Sequence, residues 1–347
     1  MDLSRISVGM PVRDAGEWVG EALESVLAQT EASLEVLAVD DGSGDGSRGI
    51  LDGFARRDAR VRVFETSPTD RGIVAALNLA LAAARSPYFA RMDADDRMHP
   101  ERLARQAAAL DADPTLFGVT SRAVAFPAEE LRDGMRAYLD WQNGLLTPED
   151  LTRDRFIESP LLHPSVMFRV QPLRENLCGW RDLGRPEDWD LFLRAFETDL
   201  RIARLPEVLL EWRLHARQST RTHPRYSEES LLALRSHFLA RHLSQVVAGG
   251  RPVWILGAGP VGKALVKALA VEGLVAEGLA DVDPRKIGGV VRGAGRSWRV
   301  VAHENLRPME PRPFAVSAVA GAVARSRVRA ELARWGWSEG ADFVVAA

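Results

Sequence analysis

Three carboxylates on four residues, Asp93-Ala94-Asp95-Asp96, follow the apolar-leaning run Tyr88-Phe89-Ala90-Arg91-Met92. They precede a helix that Pro100 opens in His99-Pro100-Glu101-Arg102-Leu103. Acids packed this tightly repel one another, and a divalent cation relieves that repulsion. Oxygen-ligated Mg2+ or Mn2+ neutralises such a cluster and can then grip a diphosphate. The structural alternative is an acidic turn whose Asp96 helps start the next helix. A second chemical signal lies far downstream. Gly257-Ala258-Gly259-Pro260-Val261-Gly262 follows the strand-like Val253-Trp254-Ile255-Leu256 and opens a helix, the context a dinucleotide fingerprint needs.

The elements that must position these residues alternate. Ile6–Val12 reads as a buried strand, and Trp18, Val19, Ala22, Leu23, Val26 and Leu27 then recur at helical spacing. A strand over Leu34–Val39, a helix from Ser47, a strand over Val61–Phe64, a helix over Ile73–Ala84 and a strand over Tyr88–Met92 follow. Strands alternating with helices predict a doubly wound α/β sheet, whose ligands bind at the carboxyl ends of its strands. Asp40-Asp41 and Asp93–Asp96 both fall at such ends. Beyond residue 123 the pattern is irregular, with helical character returning at Trp189–Phe196 and Glu228–His242. Val246-Val247-Ala248-Gly249-Gly250-Arg251-Pro252 reads as a linker, after which a new α/β domain starts. The predicted domains are therefore residues 1–245 and 251–347.

At 347 residues the chain is long enough for two domains with full cores. A net charge of −3 gives no electrostatic case for nucleic acid, although residues 251–347 carry +5 and residues 1–250 carry −8. The single Cys178 excludes an intrachain disulfide and fits a reducing compartment. No apolar stretch reaches membrane-spanning length and no signal peptide precedes the first strand, so the expected location is cytoplasmic, compatible with peripheral contact at the membrane's inner face.

Residues 6 to about 242 resemble the family 2 glycosyltransferases. The resemblance is carried by blocks in order: Met10-Pro11-Val12-Arg13-Asp14, Glu21–Thr30, Val39-Asp40-Asp41-Gly42-Ser43, Arg71-Gly72 through Asn78, the acidic tetrad, His163–Arg169, Glu187-Asp188-Trp189-Asp190-Leu191, and Arg213-Leu214-His215. It implies a GT-A fold, a nucleotide-diphosphate sugar donor, a divalent metal, and inversion at the anomeric carbon by direct displacement. Asp41 is then placed to accept an N–H of the donor's base, Pro11, Val12 and Arg13 to border that base, and Glu17 to reach the ribose. A polar turn capping the next helix is the other role open to Asp40–Ser43. Asp95 is expected as direct metal ligand, with Asp93 facing the ribose or a metal-bound water. His215 either completes the metal or diphosphate shell or is a partly exposed histidine beside Arg213 and Arg217. Asp188 is the candidate general base, taking the proton of an acceptor hydroxyl as the new bond forms. The same residue suits a helix N-cap, with Glu187 and Asp190 favouring the helix dipole. His163, Trp180 and Glu187 are placed on the acceptor side, Trp180 either stacking on a sugar ring or lying in the core.

The second domain resembles the nucleotide-sugar-binding leader domain of sugar O-acyltransferases, on Asp281-Val282-Asp283-Pro284 and Ile287-Gly288 as well as the glycine loop. Gly257, Gly259 and Gly262 would admit a phosphate at the helix N-terminus, and Asp281 or Asp283 would hold a ribose hydroxyl. NAD(P) and a nucleotide sugar are both candidate ligands; a fold kept only for packing is the alternative. The whole reads as a metal-dependent inverting glycosyltransferase of surface polysaccharide or glycan assembly. Its hydroxyl acceptor, whether glycan, lipid-linked or small molecule, is left open. A non-catalytic nucleotide-sugar sensor or scaffold is the competing reading, against which the intact Asp95 and Asp188 argue.

Overall fold

The computed structural model describes residues 4–247 and 250–347. Part of the expected linker, Ala248 and Gly249, lies outside the described residues, as do Met1–Leu3. The chain forms two compact units. One comprises Met1–Leu151, Leu161–Leu183 and Glu187–Thr222, the other Thr152–Pro160, Gly184–Pro186 and His223–Ala347.

The first unit is built on an eight-stranded mixed sheet. Its strands are β1 (Ile6–Val12), β2 (Leu34–Asp40), β3 (Val61–Glu65), β4 (Tyr88–Arg91), β5 (Arg97–Met98), β6 (Leu116–Phe126), β7 (Met167–Arg169) and β8 (Arg201–Arg213), in the order β3-β2-β1-β4-β7-β6-β8-β5. β3, β2, β1 and β4 run parallel, as the strand–helix alternation predicts; β7 reverses direction beside β4. Helices α1 (Val19–Leu27), α2 (Ser47–Arg57), α3 (Ile73–Ala83) and α4 (Arg102–Ala112) join them, followed by α5 (Asp133–Gly144), α6 (Pro148–Asp154), α7 (Val170–Glu175), α8 (Glu187–Glu197) and the single turn α9 (Ser219–Thr222).

Period-two alternation sorts β1 and β4 onto two cores. Ile6, Val8, Tyr88, Ala90 and Met92 join one buried cluster with α1 and α4, and Phe89 joins the other with α3, Trp180, Leu191 and Phe192. Each fully buried side chain of this size contributes about 1.5–3 kcal/mol. Gly9 is required where β1 passes β4, because a Cβ there would fall 2.1 Å from the Phe89 ring. The order of strands reverses between β1 and β4, so the loops after β1, β2 and β4 open on one crevice. The long β8, which pairs with β6 over Arg201–Arg213 through three irregular steps, occupies a stretch the sequence pattern leaves irregular.

The second unit contains α10 (Glu228–Val246) and a six-stranded sheet of β9 (Val253–Leu256), β10 (Gly278–Asp281), β11 (Val290–Gly293), β12 (Arg296–Ala302), β13 (Phe314–Ser317) and β14 (Phe343–Val345). Their order is β11-β12-β10-β9-β13-β14, with α11 (Pro260–Val271) after β9 and α12 (Ala322–Arg334) after β13. Apart from the antiparallel β11 edge this is a parallel Rossmann-like arrangement, whose order reverses between β9 and β13. His237 Nδ1 of α10 lies 2.9 Å from Glu272 Oε2 just beyond α11. Among the described residues no helix is long and apolar enough to cross a membrane.

Candidate active site

At the end of β4 the chain turns, and carboxylate oxygens of Asp93, Asp95 and Asp96 all lie within 4.8 Å of one another. Asp93 and Asp95 are half-buried and Asp96 is buried. Burial, with Asp95 and Asp93 beside it, pushes the Asp96 carboxyl well above the usual carboxylate range. Asp93 is also raised, by burial first and by Asp95, with Arg91 pulling the other way. Asp96 Oδ2 is buried without a hydrogen-bond partner. Its Oδ1 accepts from the Arg213 backbone N–H at 2.8 Å, so Asp96 anchors the end of β8. This corrects the expectation that Asp96 starts a helix: β5 follows it, and α4 begins only at Arg102.

The segment after β8 covers the acidic turn. Arg213 Nε donates to the Asp95 carbonyl at 2.6 Å, and its guanidinium also pairs with Glu21. His215 Nε2 lies 2.9 Å from Asp95 Oδ2, and the imidazole packs on Trp18 with ring centroids 4.1 Å apart. Arg217 stacks on the other partner of that set, its guanidinium carbon 4.6 Å from the Trp18 ring, and donates to Glu17 at 2.7 Å. His215 is thus both partly exposed near Arg217 and in contact with Asp95, and both roles open to it fit that position. Glu17 is engaged with Arg217 at the surface.

Asp41 lies just beyond β2 and is buried. Its Oδ1 accepts from Thr66 Oγ1 at 2.8 Å and from the Gly72 N–H at 2.9 Å, and Arg13 Nη1 reaches Oδ2 at 3.2 Å. Arg13 is 57% exposed in its side chain, so this last partner is the one a ligand can displace. Arg71, quoted by the sequence only as part of a motif, lies over Gly42: a Cβ on that glycine would stand 2.5 Å from the guanidinium carbon. Asp40 instead closes the turn, accepting from Ser43 N and Oγ. Pro11 and Val12 end β1 beside Asp40, and Asp41 N donates to the Val12 carbonyl at 2.8 Å.

Glu187, Asp188 and Asp190 occupy the first turn of α8. Burial and the adjacent Glu187 push the Asp188 carboxyl up to about 7. Its Oδ1 accepts from the Trp189 N–H at 2.7 Å. Asp190 is taken up by Arg181 and Arg194. Glu187 is buried, with Oε1 4.0 Å from His163 Nδ1. Trp180 is 2% exposed and donates its indole N–H to His163 Nε2 at 3.0 Å. It is therefore a core residue, of the two roles left open for it, and packs against Phe89 and Phe168. His163 is equally buried, and burial with the Arg91 charge nearby holds it well below the usual imidazole range, so it is neutral. With Nε2 accepting from Trp180, its proton sits on Nδ1, towards Glu187. Neither ring lines an open acceptor surface; both brace α8.

Arg91 escaped the sequence reading. It is 3% exposed at the end of β4 and pairs with Asp93 Oδ2. A charge in an otherwise buried strand, two residues before Asp93 and hence on the same face, is the signal that could have found it.

In the second unit the glycines separate by role. Gly257 has φ +98°, and a Cβ on Gly262 would fall 1.8 Å from the Gly257 carbonyl oxygen, so close packing of α11 requires both. Gly259, just before α11, faces open space. Asp281 is not free for a ribose: its carboxylate accepts from Ala258 N at 2.7 Å, Asp283 N at 2.8 Å and Lys286 Nζ at 3.0 Å. Asp283 pairs with Arg285.

Residues 7–177 match the family model Glycosyl transferase family 2, and the protein is a glycosyltransferase. The chain is similar to the putative glycosyltransferase EpsE of Bacillus subtilis, 29% identical over 213 residues that cover 60% of this chain and 73% of that one. It is also similar to an uncharacterized glycosyltransferase of Haemophilus influenzae, 23% identical over 245 residues, 70% of this chain and 75% of the relative. Among solved structures, residues 1–349 of S. aureus TarS in complex with UDP-GlcNAc superpose with a TM-score of 0.55 at 16% identity, covering 77% of this chain and 80% of that one. The fold is of the GT-A type, with the second Rossmann-like domain following.

Proposed function

We propose that the protein is a metal-dependent, inverting glycosyltransferase that moves a sugar from a nucleotide-diphosphate donor to a hydroxyl acceptor. The observation that carries this reading is a pair of acidic sets in the first unit: the clustered Asp93, Asp95 and Asp96, and Asp188, whose carboxyl is pushed up to about 7. TarS was solved with UDP-GlcNAc, which supports a donor of the same class here.

The cluster fits a hard, oxygen-ligated cation. Its donors are carboxylates, mutually repelling and partly desolvated, and one buried oxygen of Asp96 lacks a partner. Mn2+ or Mg2+ would be held by Asp95 and Asp93, with His215 beside Asp95; bound there, it supplies Lewis-acid stabilisation of charge on the departing diphosphate. Asp41 orients the base, with Arg13 yielding its contact and Pro11 and Val12 forming the floor. Glu17 serves the ribose edge. Asp188 accepts the proton of the acceptor hydroxyl while the acceptor oxygen bonds to the anomeric carbon. The bond from that carbon to the diphosphate oxygen breaks in the same step, and the nucleoside diphosphate leaves. A carboxyl near pH 7 is matched to that exchange.

Similarity to the O-antigen biosynthesis protein RfbC of Myxococcus xanthus, 30% identical over 217 residues, supports a polysaccharide acceptor. In the second unit, the open space at Gly259 supports a nucleotide phosphate at α11, with Lys286 rather than Asp281 as its side-chain contact. A nucleotide sugar and NAD(P) both offer that phosphate.

The test is a thermal-shift screen of nucleotide sugars with and without Mn2+, since only the folded state binds and gains stability. A metal-dependent shift with one donor, followed by release of its nucleoside diphosphate, supports the reading. Absence of any shift or hydrolysis across UDP-, GDP- and deoxythymidine-diphosphate sugars rejects it.

A further inference from the structure

We infer that Arg91 is the positioning residue that joins the donor-side and acceptor-side acids across the sheet. This rests on the glycosyltransfer reading above and deepens it. Phe89, Arg91 and Asp93 share one face of β4 and its extension, the face that packs towards Trp180, His163 and α8. The backbone there is fixed from both sides: Arg91 N donates to the Val166 carbonyl at 2.9 Å, and its own carbonyl accepts from Arg102 Nη2 at 2.9 Å. The guanidinium is thus delivered to one place, buried, with Asp93 as its ion-pair partner.

An isolated buried guanidinium is costly. Asp93, in the same turn as Asp96, lies against this one, and the face Arg91 shares with Phe89 leads through Trp180 and His163 to Glu187. Those acids belong to different elements: Asp93 and Asp96 to the turn after β4, Glu187 to the first turn of α8 beside Asp188. Arg91 Nε is buried without a hydrogen-bond partner, so the fork has a direction left to engage. A single cation therefore holds the turn after β4 on the side-chain face that continues to α8. It also acts on Asp188 and on His163, lowering both. A second buried arginine, Arg102, does not duplicate it: it is turned to Gln106 and to the Arg91 carbonyl. Arg91 touches neither donor nor acceptor in this account. It sets the distance between the sugar's leaving side and the base.

The experiment compares Arg91→Met, Arg91→Lys and Asp188→Asn with wild type, using full-length protein, Mn2+ and the donor that gives the thermal shift. Donor hydrolysis is followed where no acceptor is known. Arg91→Met should lower kcat about a hundredfold, the cost of a misplacement of order 1 Å, with donor KM changed less than about threefold. Its acid limb should move up by about one pH unit, because a cation near Asp188 and Glu187 is gone. Arg91→Lys keeps the charge and loses the fork, so kcat falls about tenfold with the acid limb unmoved. Wild-type kcat in either variant, or a rise in donor KM alone, overturns the role. Should Arg91→Met not fold, as judged by donor calorimetry, Arg91→Lys decides by the same criteria. Asp188→Asn separates the two levels: if it is inactive while the Arg91 variants match wild type, only the positioning role fails. If it is as active as wild type, the base assignment itself fails.

Discussion

His215 Nε2 stands 2.9 Å from Asp95 Oδ2, a contact made by residues 120 positions apart. The imidazole is held on its other side by the Trp18 ring, so its orientation does not depend on the acid alone. The contact ties the end of β8 to the turn after β4 and puts a nitrogen donor at the edge of the acidic cluster.

The first prediction follows from that contact. His215→Ala should weaken the apparent affinity for Mn2+ by about ten- to a hundredfold, the usual effect of losing a residue that orients a ligand. Titration of activity or of the thermal shift against Mn2+ reads it. An unchanged midpoint would remove His215 from the metal's surroundings.

Asp188→Asn should reduce transfer by about a hundred- to ten-thousandfold while donor affinity stays within about threefold. Binding calorimetry alongside a nucleoside-diphosphate release assay separates the two. Equal loss of both would show that Asp188 serves the fold rather than the proton.

The Asp188 carboxyl, pushed up to about 7 by burial and by Glu187, gives two pH signatures of stated sign. The base must be ionised, so the rate should fall about tenfold per unit below pH 7. For stability the sign is opposite: between the ordinary carboxylate range and pH 7 the folded state holds a proton that the unfolded state has released, so this group costs stability as pH rises through that window. Asp188→Asn should therefore gain stability relative to wild type at pH 8 more than at pH 5, in parallel urea titrations.

Trp180→Phe removes the indole N–H and leaves His163 Nε2 buried without its donor. The expected cost is about 1–3 kcal/mol of folding stability. Acceptor KM should not change, because the ring is in the core. A raised acceptor KM with unchanged stability would return Trp180 to the sugar-binding surface.

In the second unit, Gly262→Ala should destabilise by about 1–3 kcal/mol or more, since its Cβ overlaps the Gly257 carbonyl. Gly259→Ala meets open space and should leave the melting temperature unchanged. If a nucleotide phosphate sits there, the same change abolishes nucleotide binding to the second unit, which calorimetry with UDP and NAD detects.

Much of the parallel half of the first sheet was legible, because strand and helix periods there are undisturbed. Ile6–Val12 and Val253–Leu256 fall where the sequence places them, and α1, α2 and α3 begin within a residue of expectation. β6 and β8 were not legible. Their pairing is bulged, and β8 includes Pro206, so the two-residue alternation slips and no clean pattern survives. The same loss hid the way residues 213–217 fold back on the acids. At the site, residue type and strand-end position pointed to Asp95, and the family resemblance pointed to Asp188. They did not show that His163 and Trp180 point inwards, since a histidine and a tryptophan suit a sugar surface and a core equally well until burial is known. Arg91 was missed for a related reason: in the run Tyr88–Met92 one charge reads as tolerance in a strand, and only its partners make it a requirement.

The wrap of Arg213, His215 and Arg217 over the acidic turn and α1 has a consequence for synthesis. As the chain emerges from the ribosome, β1 to β4 can pair while the acids after β4 still lack Arg213 and His215, which arrive more than a hundred residues later. The matched segment, residues 7–177, stops short of Asp188 as well as His215. An emerging chain of that length holds the parallel half of the first sheet but lacks Asp188 and His215, so the proposed site is completed late, only once β8 has closed on β6.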